Sequence, residues 1–217
     1  MILIRKGREP EELQRYRCLP DSEYDNMPKE VKEAVLAALC DEQHHLCAYC
    51  TCRIPEEDAK KHNQPPVTIE HFYPRNPENG EIREKWDLRY GNMHAVCSGN
   101  RGCGSREALT CDASKGNSVI QSDPCIETVI SKICYRTDGT IYAEDDAIDA
   151  ELNFALNLNC KERSLPLNRK AALDELKKWL HRDPAKFRQN CRKILDTLHK
   201  CPSPFCGMSI AWLEKHV

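Results

Sequence analysis

The sequence predicts an α+β protein, with a short irregular core stapled by metal and helices on either side of it. Three observations carry that reading. Apolar residues recur at helical spacing near both ends of the chain. Residues 47–118 lack such periodicity and instead collect Cys, His, Asn, Gly and Pro. A stretch of that length rarely holds a shape without a staple such as a metal ion. A β-hairpin pattern follows it, and with it strands enter the prediction.

The first segment, 1–46, reads as helical. Pro10-Glu11-Glu12-Leu13 opens a short helix, and Pro28 stands just ahead of Val31, Val35, Leu36 and Leu39 on one face. The second segment is the core, 47–118. The third, 119–217, begins with a predicted hairpin: Thr128 to Tyr135, a turn at Asp138-Gly139, and a return from Thr140 to Tyr142. Leu173, Leu176 and Leu180 then mark one helix. Phe187, Cys191, Ile194, Leu195 and Leu198 mark another, with Pro184 at its start. A short amphipathic piece, Ile210 to Leu213, closes the chain. The third segment is expected to form one compact unit with the core.

Composition narrows the class. The chain has 217 residues, 40% hydrophobic and 30% charged, the balance of a water-soluble globular domain. No run approaches the roughly 18 apolar residues that a membrane span needs. Met1-Ile2-Leu3-Ile4 meets Arg5 and Lys6 at once, which argues against a secretory leader and for a cytoplasmic protein. In a reducing compartment, clustered cysteines point to metal and scattered ones to packing. Of the 14 cysteines, Cys47, Cys50, Cys52, Cys97, Cys103 and Cys111 cluster in the core, whereas Cys18, Cys40, Cys125, Cys134, Cys160 and Cys191 are scattered. The spacing of Cys201 and Cys206 decides nothing.

Net charge is −2, unlike a freestanding nucleic-acid binder, but it is uneven. Residues 161–200 hold 12 Lys or Arg against 5 Asp or Glu, and residues 1–60 hold 9 against 13. Basic late helices suit phosphates and an acidic front suits a partner, although solvated helix faces would look the same.

Four elements in the core carry chemistry. Cys47-Ala48-Tyr49-Cys50 sets two thiols on one tight turn, the bite that tetrahedral zinc needs, and Cys97, Cys103 and Cys111 are candidates to complete it. Ile69-Glu70-His71-Phe72 ends a strand in a carboxylate and an imidazole, one suited to a metal and the other to a water. Asn92, in Tyr90-Gly91-Asn92-Met93-His94-Ala95-Val96-Cys97, can pin a loop through backbone groups. Cys111-Asp112-Ala113-Ser114-Lys115-Gly116 places Asp112 at a helix start. Taken singly, each has a bland reading: a redox pair, a surface histidine, a turn asparagine, a helix cap.

Their order is more specific. Cys-x-x-Cys, Glu-His, Asn, Cys and Cys-Asp-x-x-Lys closely resembles the layout of the HNH ββα-metal endonucleases. The resemblance implies a zinc-stapled ββα core with Glu70 and Asp112 as ligands of a catalytic ion, His71 as general base and Asn92 as loop brace. It also implies a structural zinc on Cys47, Cys50, Cys97 and a fourth cysteine. Cys97 and Cys111 are farther apart than in the usual compact second knuckle. Cys111 is favoured because it adjoins Asp112, with Cys103 the alternative and Cys52 a weaker one. Four thiolates leave no position for water, so zinc would be structural, while two carboxylates suit Mg²⁺ or Mn²⁺. Lys115 and His94 are candidates for substrate contact, against the blander expectation of a solvated lysine and a satisfied structural histidine.

Ile4-Arg5-Lys6, Pro10, Leu13, the Cys-Ala-Tyr-Cys knuckle, Ile-Glu-His-Phe and Cys-Asp-x-x-Lys-Gly are further similar to the HNH nuclease subunits (PtuB) of Septu-type anti-phage systems. That resemblance spans about half the chain. It implies a DNA substrate and an ABC/SMC-type ATPase partner (PtuA-like). Two alternatives stay open: a zinc-scaffolded binding module without catalysis, and an HNH nuclease of a toxin or mobile element.

Overall fold

The proline-led patterns near the N-terminus form α1 (Glu11–Arg17) and α2 (Lys29–Glu42) in the computed structural model, which describes residues 1–56, 65–83 and 85–217. α1 buries Leu13 and Tyr16 and carries Glu11 and Glu12 in its first turn and Arg15 and Arg17 in its last, each sign at the favourable end of the helix dipole. Pro28 stands one residue outside α2 in extended conformation, and Val31, Val35, Leu39 and Cys40 form the buried stripe.

Beyond α2 the chain reverses through His44 and His45, both at positive φ, into a knuckle closed by the Leu46–Arg53 bridge. The Gln43 amide locks the knuckle to the sheet. It donates to the carbonyls of Leu46 (2.9 Å) and Ala95 (2.7 Å) and accepts from Ala95 N–H (2.8 Å). β1 (Thr68–His71) and β2 (Met93–Val96) pair antiparallel, with Glu70 opposite His94 and His71 opposite Met93. The following loop delivers α3 (Cys111–Lys115), and Cys111 N–H donates to Leu156 O at 2.8 Å. Gly99 stands at positive φ where a Cβ would run into Thr110 O and come within 2.7 Å of the Ala113 Cβ, so the base of that loop accepts only glycine.

α4 (Glu127–Ile130), β3 (Ile133–Tyr135) and β4 (Ile141–Ala143) follow. The hairpin forms about Asp138-Gly139 as expected, but Thr128 to Ile130, read as strand, is helical. The register explains the difference. Ile133 pairs with Ala143, and the chain turns away into α5 (Asp146–Ala150), so residues before 133 have no strand to join. Their β-branched side chains therefore do not decide the local structure. A π-helical turn, Glu151–Ala155, continues α5. α6 (Leu165–Leu180), α7 (Phe187–Lys200) and α8 (Gly207–Glu214) complete the chain.

Among the described residues the sheets are two-stranded and the rest is helix and loop, a mixed α+β fold. One core runs from Met1 and Ile4 through α1, α2, the knuckle, β2 and β4 to Leu165. Leu180, Cys191, Leu195 and Leu213 form a second, smaller cluster among α6, α7 and α8. Of the scattered cysteines, Cys40, Cys160 and Cys191 are buried, whereas Cys18 is exposed and Cys125 and Cys134 lie between. Among the described residues no helix is long and apolar enough to cross a membrane.

Candidate active site

The knuckle, the end of β2 and the start of α3 converge on four buried thiols. The Sγ atoms of Cys47, Cys50, Cys97 and Cys111 all lie within 4.8 Å of one another. Cys47–Cys111 and Cys50–Cys97 are 3.8 Å apart, and Cys97–Cys111 is 3.7 Å. A disulfide would need about 2.0 Å. Sulfurs at the corners of a tetrahedron around zinc, each about 2.3 Å from the ion, stand roughly 3.8 Å apart. The donors therefore fit a structural metal of the zinc kind. Crowding divides the thiols: hydrogen bonds from neighbouring thiols hold Cys47, against burial, and Cys50 below the ordinary value, whereas Cys97 and Cys111 are held well above it, so an ion binding all four would displace protons from the latter two. Arg163 adds positive charge, its guanidinium 3.9 Å from Cys97 Sγ and 2.8 Å from Glu56. Cys103 lies outside this cluster, exposed on its loop with its thiol turned to Ser105 O. Cys52 is buried beside the cluster, grouped with Glu56 and Cys97.

Because Asp112 directly follows Cys111, the cysteine cluster fixes the first turn of α3 and with it the position of that carboxylate. Glu70, near the end of β1, meets Asp112 there, and the two form a coupled acidic pair. Burial, followed by the hydrogen bond and charge of Asp112, pushes the Glu70 carboxyl well above its usual range. Asp112 is also penalised by burial, but its bonds to Glu70 and Arg101 hold it below the usual range. Two carboxyls so placed bind one proton between them or a cation in its stead. Tyr49, completely buried within the knuckle, donates to Glu70 at 3.2 Å. Arg101 pairs with Asp112 from the loop before α3. The oxygen donors fit a hard divalent cation.

His71, the next residue on β1, is 7% exposed. Its Nε2 lies 2.9 Å from Asp87 O. A carbonyl only accepts, so Nε2 carries the proton and Nδ1 is left with its lone pair. Burial lowers the His71 pKa, against the opposing pull of the Asp87 carbonyl, and the ring is neutral at pH 7. Tyr24 meets the imidazole edge-on at 4.5 Å. Asn92 spans the loop between the strands. It accepts from Tyr73 N–H (2.8 Å) and donates to the carbonyls of Tyr73 (3.0 Å) and Trp86 (3.2 Å), closing residues 73–92 into one unit.

Two expected substrate contacts are placed elsewhere. Lys115 is 1% exposed and turned into the protein, away from solvent. Its ammonium pairs with Glu70 at 2.7 Å and donates to His71 O at 3.2 Å, because α3 packs with that face against β1. His94 is completely buried, as follows from its position on β2, where all four residues are buried. Sequence reasoning missed Tyr24, Tyr49, Arg75 and Arg101. Tyr49 lies inside the Cys-x-x-Cys motif, which was a usable signal. The other three are brought in by loops and carry no local signature. Tyr24, Lys29, Lys32, Arg101 and Asp112 line a cleft of about 500 Å³, and the Arg75 guanidinium lies 4.9 Å from the Tyr24 ring. At this mouth Lys29 pairs with Glu33, Arg75 with Asp25 and Arg101 with Asp112, while Lys32 lies over the Tyr24 ring, so cations, their acidic partners and an aromatic face stand together.

No family model matches the chain. A protein of Escherichia coli named "Retron Ec83 putative HNH endonuclease" is 31% identical over 85 residues, covering 36% of this chain and 30% of that protein. The chain thus spans less than a third of the length of the curated relative it matches. The likeness supports kinship with HNH endonucleases, in keeping with the motif order in the sequence.

Proposed function

We propose that the chain is a metal-dependent HNH endonuclease that hydrolyses DNA phosphodiester bonds. The observation that carries this reading is the junction of β1 and α3, where Lys115 of the helix that carries Asp112 bonds both Glu70 (2.7 Å) and the backbone of His71 (3.2 Å) and so brings the two carboxylates and the imidazole to one place. A zinc-stapled scaffold for binding alone would need none of these three groups.

Hydrolysis requires a nucleophile, charge neutralisation and a stabilised leaving oxygen. His71 takes a proton from water at Nδ1, and the Asp87 carbonyl keeps the ring in the tautomer that can do so. Mg²⁺ or Mn²⁺ held by Glu70 and Asp112 would neutralise charge on the phosphate and on the departing oxygen. Asn92 braces the loop that carries Asp87 and so preserves the orientation of His71. Arg101, Lys29, Lys32 and Arg75 receive phosphates at the mouth. Lys115 balances the carboxyls from beneath. Cys47, Cys50, Cys97 and Cys111 would hold a structural zinc, and Cys111, next in sequence to Asp112, would tie that carboxylate to it.

The Septu-type setting, with an ATPase of the ABC/SMC type as partner, is the finer part of this proposal. It rests on the resemblance in the sequence, in which Lys6 is one of the quoted residues. Here Lys6 donates to Glu42 and Met93 O, both at 2.6 Å, and holds the N-terminal segment against β2. The low net charge suits an enzyme brought to DNA by a partner. Plasmid cleavage with Mg²⁺ or Mn²⁺, comparing wild type and His71→Ala with and without the ATPase, tests both parts. Cutting that His71→Ala abolishes supports the nuclease, and cutting that needs the ATPase supports the partnership. Absence of cutting even with the ATPase favours the binding scaffold.

A further inference from the structure

Behind the active site, β2 carries a buried imidazole with no apparent occupation. His94 is fully enclosed, and among the described residues neither ring nitrogen has a hydrogen-bond partner. Such a burial is unfavourable unless something uses the lone pair. Two side chains face it from the segment leading into α4. Ligand atoms of His94, Asp123 and Cys125 lie within 4.8 Å of one another, with His94 Nε2 4.0 Å from Asp123 Oδ1. The Asp123 side chain is only 20% exposed. Cys125 N–H donates to Asp123 Oδ1 at 2.8 Å across the intervening Pro124, so carboxylate and thiol are held on one short turn.

We infer that His94, Asp123 and Cys125 form a second metal site for a divalent ion of the zinc class, distinct from the four-cysteine cluster. The donor set is one imidazole nitrogen, one carboxylate oxygen and one thiolate sulfur, the mixed N/O/S environment that zinc accepts. Two anionic donors match the ion's charge. Donor atoms around tetrahedral zinc stand roughly 3.3–3.8 Å apart, so a small side-chain contraction closes the site. Burial pushes the His94 pKa down to about 3, helped by Lys6 and Lys115, which keeps the imidazole neutral and able to ligate. Lys6 itself is engaged by Glu42 and Met93 O. The Cys125 thiol is raised to about 12 by burial and the Asp123 charge, so binding exchanges its proton for the ion and releases that proton to solvent. Ile4 N–H donates to Pro124 O at 2.9 Å, so the ion would join the N-terminal segment, the 119–126 segment and the strand opposite Glu70.

The test is zinc content per chain of the 217-residue protein supplied with zinc, comparing wild type with the double variant Asp123→Ala, Cys125→Ala. Loss of one equivalent in a variant that keeps the zinc of the cysteine cluster and a folded circular dichroism spectrum is expected. Equal zinc content in both proteins would overturn the inference. If the double variant fails to fold, wild type stripped of metal is titrated with Co²⁺ and read by its absorption spectrum. A second Co²⁺ equivalent beyond the cysteine cluster is expected, and a titration that saturates at one equivalent would overturn the site. Neither readout depends on nuclease activity.

Discussion

In the proposed mechanism His71 acts through its free Nδ1, so its loss should be felt in rate before stability. His71→Ala is expected to lower DNA cleavage by about 10²–10⁴-fold, the usual contribution of a positioned base, while the melting temperature shifts by only a few degrees. A circular dichroism melt beside a plasmid assay checks this. The pH profile has a definite sign. Because burial lowers the His71 pKa from 6.5, the base form persists below pH 6.5, and cleavage should fall only as pH drops through the lowered value. Stability follows the same linkage: the unfolded imidazole takes a proton first, so this stabilisation is complete above pH 6.5 and lost as pH falls through the folded pKa. An acid limb above pH 6.5 would contradict that placement. At this scale the sequence was most legible where residue type and spacing are both constrained, as in the gathering of Cys47, Cys50, Cys97 and Cys111. It was least legible at Tyr24, Arg75 and Arg101, whose approach to the site depends on loops that no local pattern specifies. Lys115 shows a related limit, since helical spacing gives a direction around the helix but not what that face packs against.

α3 is five residues long, far too short to be stable alone. Its position depends on Cys111, so Cys47→Ser or a strong chelator should remove a cooperative unfolding transition and cleavage together, where His71→Ala removes only cleavage. A folded, zinc-loaded Cys47→Ser protein, seen by metal analysis and melting, would separate the cluster from the fold. Gly99→Ala is expected to destabilise by about 1–3 kcal/mol, from positive φ and the collision with Thr110 and Ala113, measured by urea denaturation. The helices were read well because amphipathic period is a property of one segment. The strand at 128–130 was misread because β structure needs a partner, and the pairing register that denies one is not a property of that segment.

For the molecule as a whole, charge asymmetry matters more than net charge. Residues 161–200 hold the basic excess, and they lie largely on α6 and α7, around the small second cluster of Leu180, Cys191, Leu195 and Leu213. The isolated chain is expected to bind duplex DNA weakly, with a shallow dependence of affinity on salt, because few phosphate contacts are on offer. Fluorescence anisotropy across a salt series checks this, and tight, steeply salt-dependent binding would speak against reliance on a partner. The α+β class was legible from composition and period. The way α6 to α8 gather a cluster of their own was not, because apolar stripes do not name their partners.

The stretch between Cys97 and Cys111 is built as a neck and a crown. Thr110 N–H donates to Gly99 O, Asn100 donates to Ala108 O, and Asn157 donates to the carbonyls of Glu107 and Leu109. These bonds cinch the neck of the loop, while residues 102–107 stand exposed. Changes in length beyond the neck carry only a slowly growing entropic cost and leave the thiols where they are. The crown is therefore a place where this scaffold can accept a grafted peptide or a fluorescent label close to Asp112, with Arg101 at the neck as the residue to leave untouched.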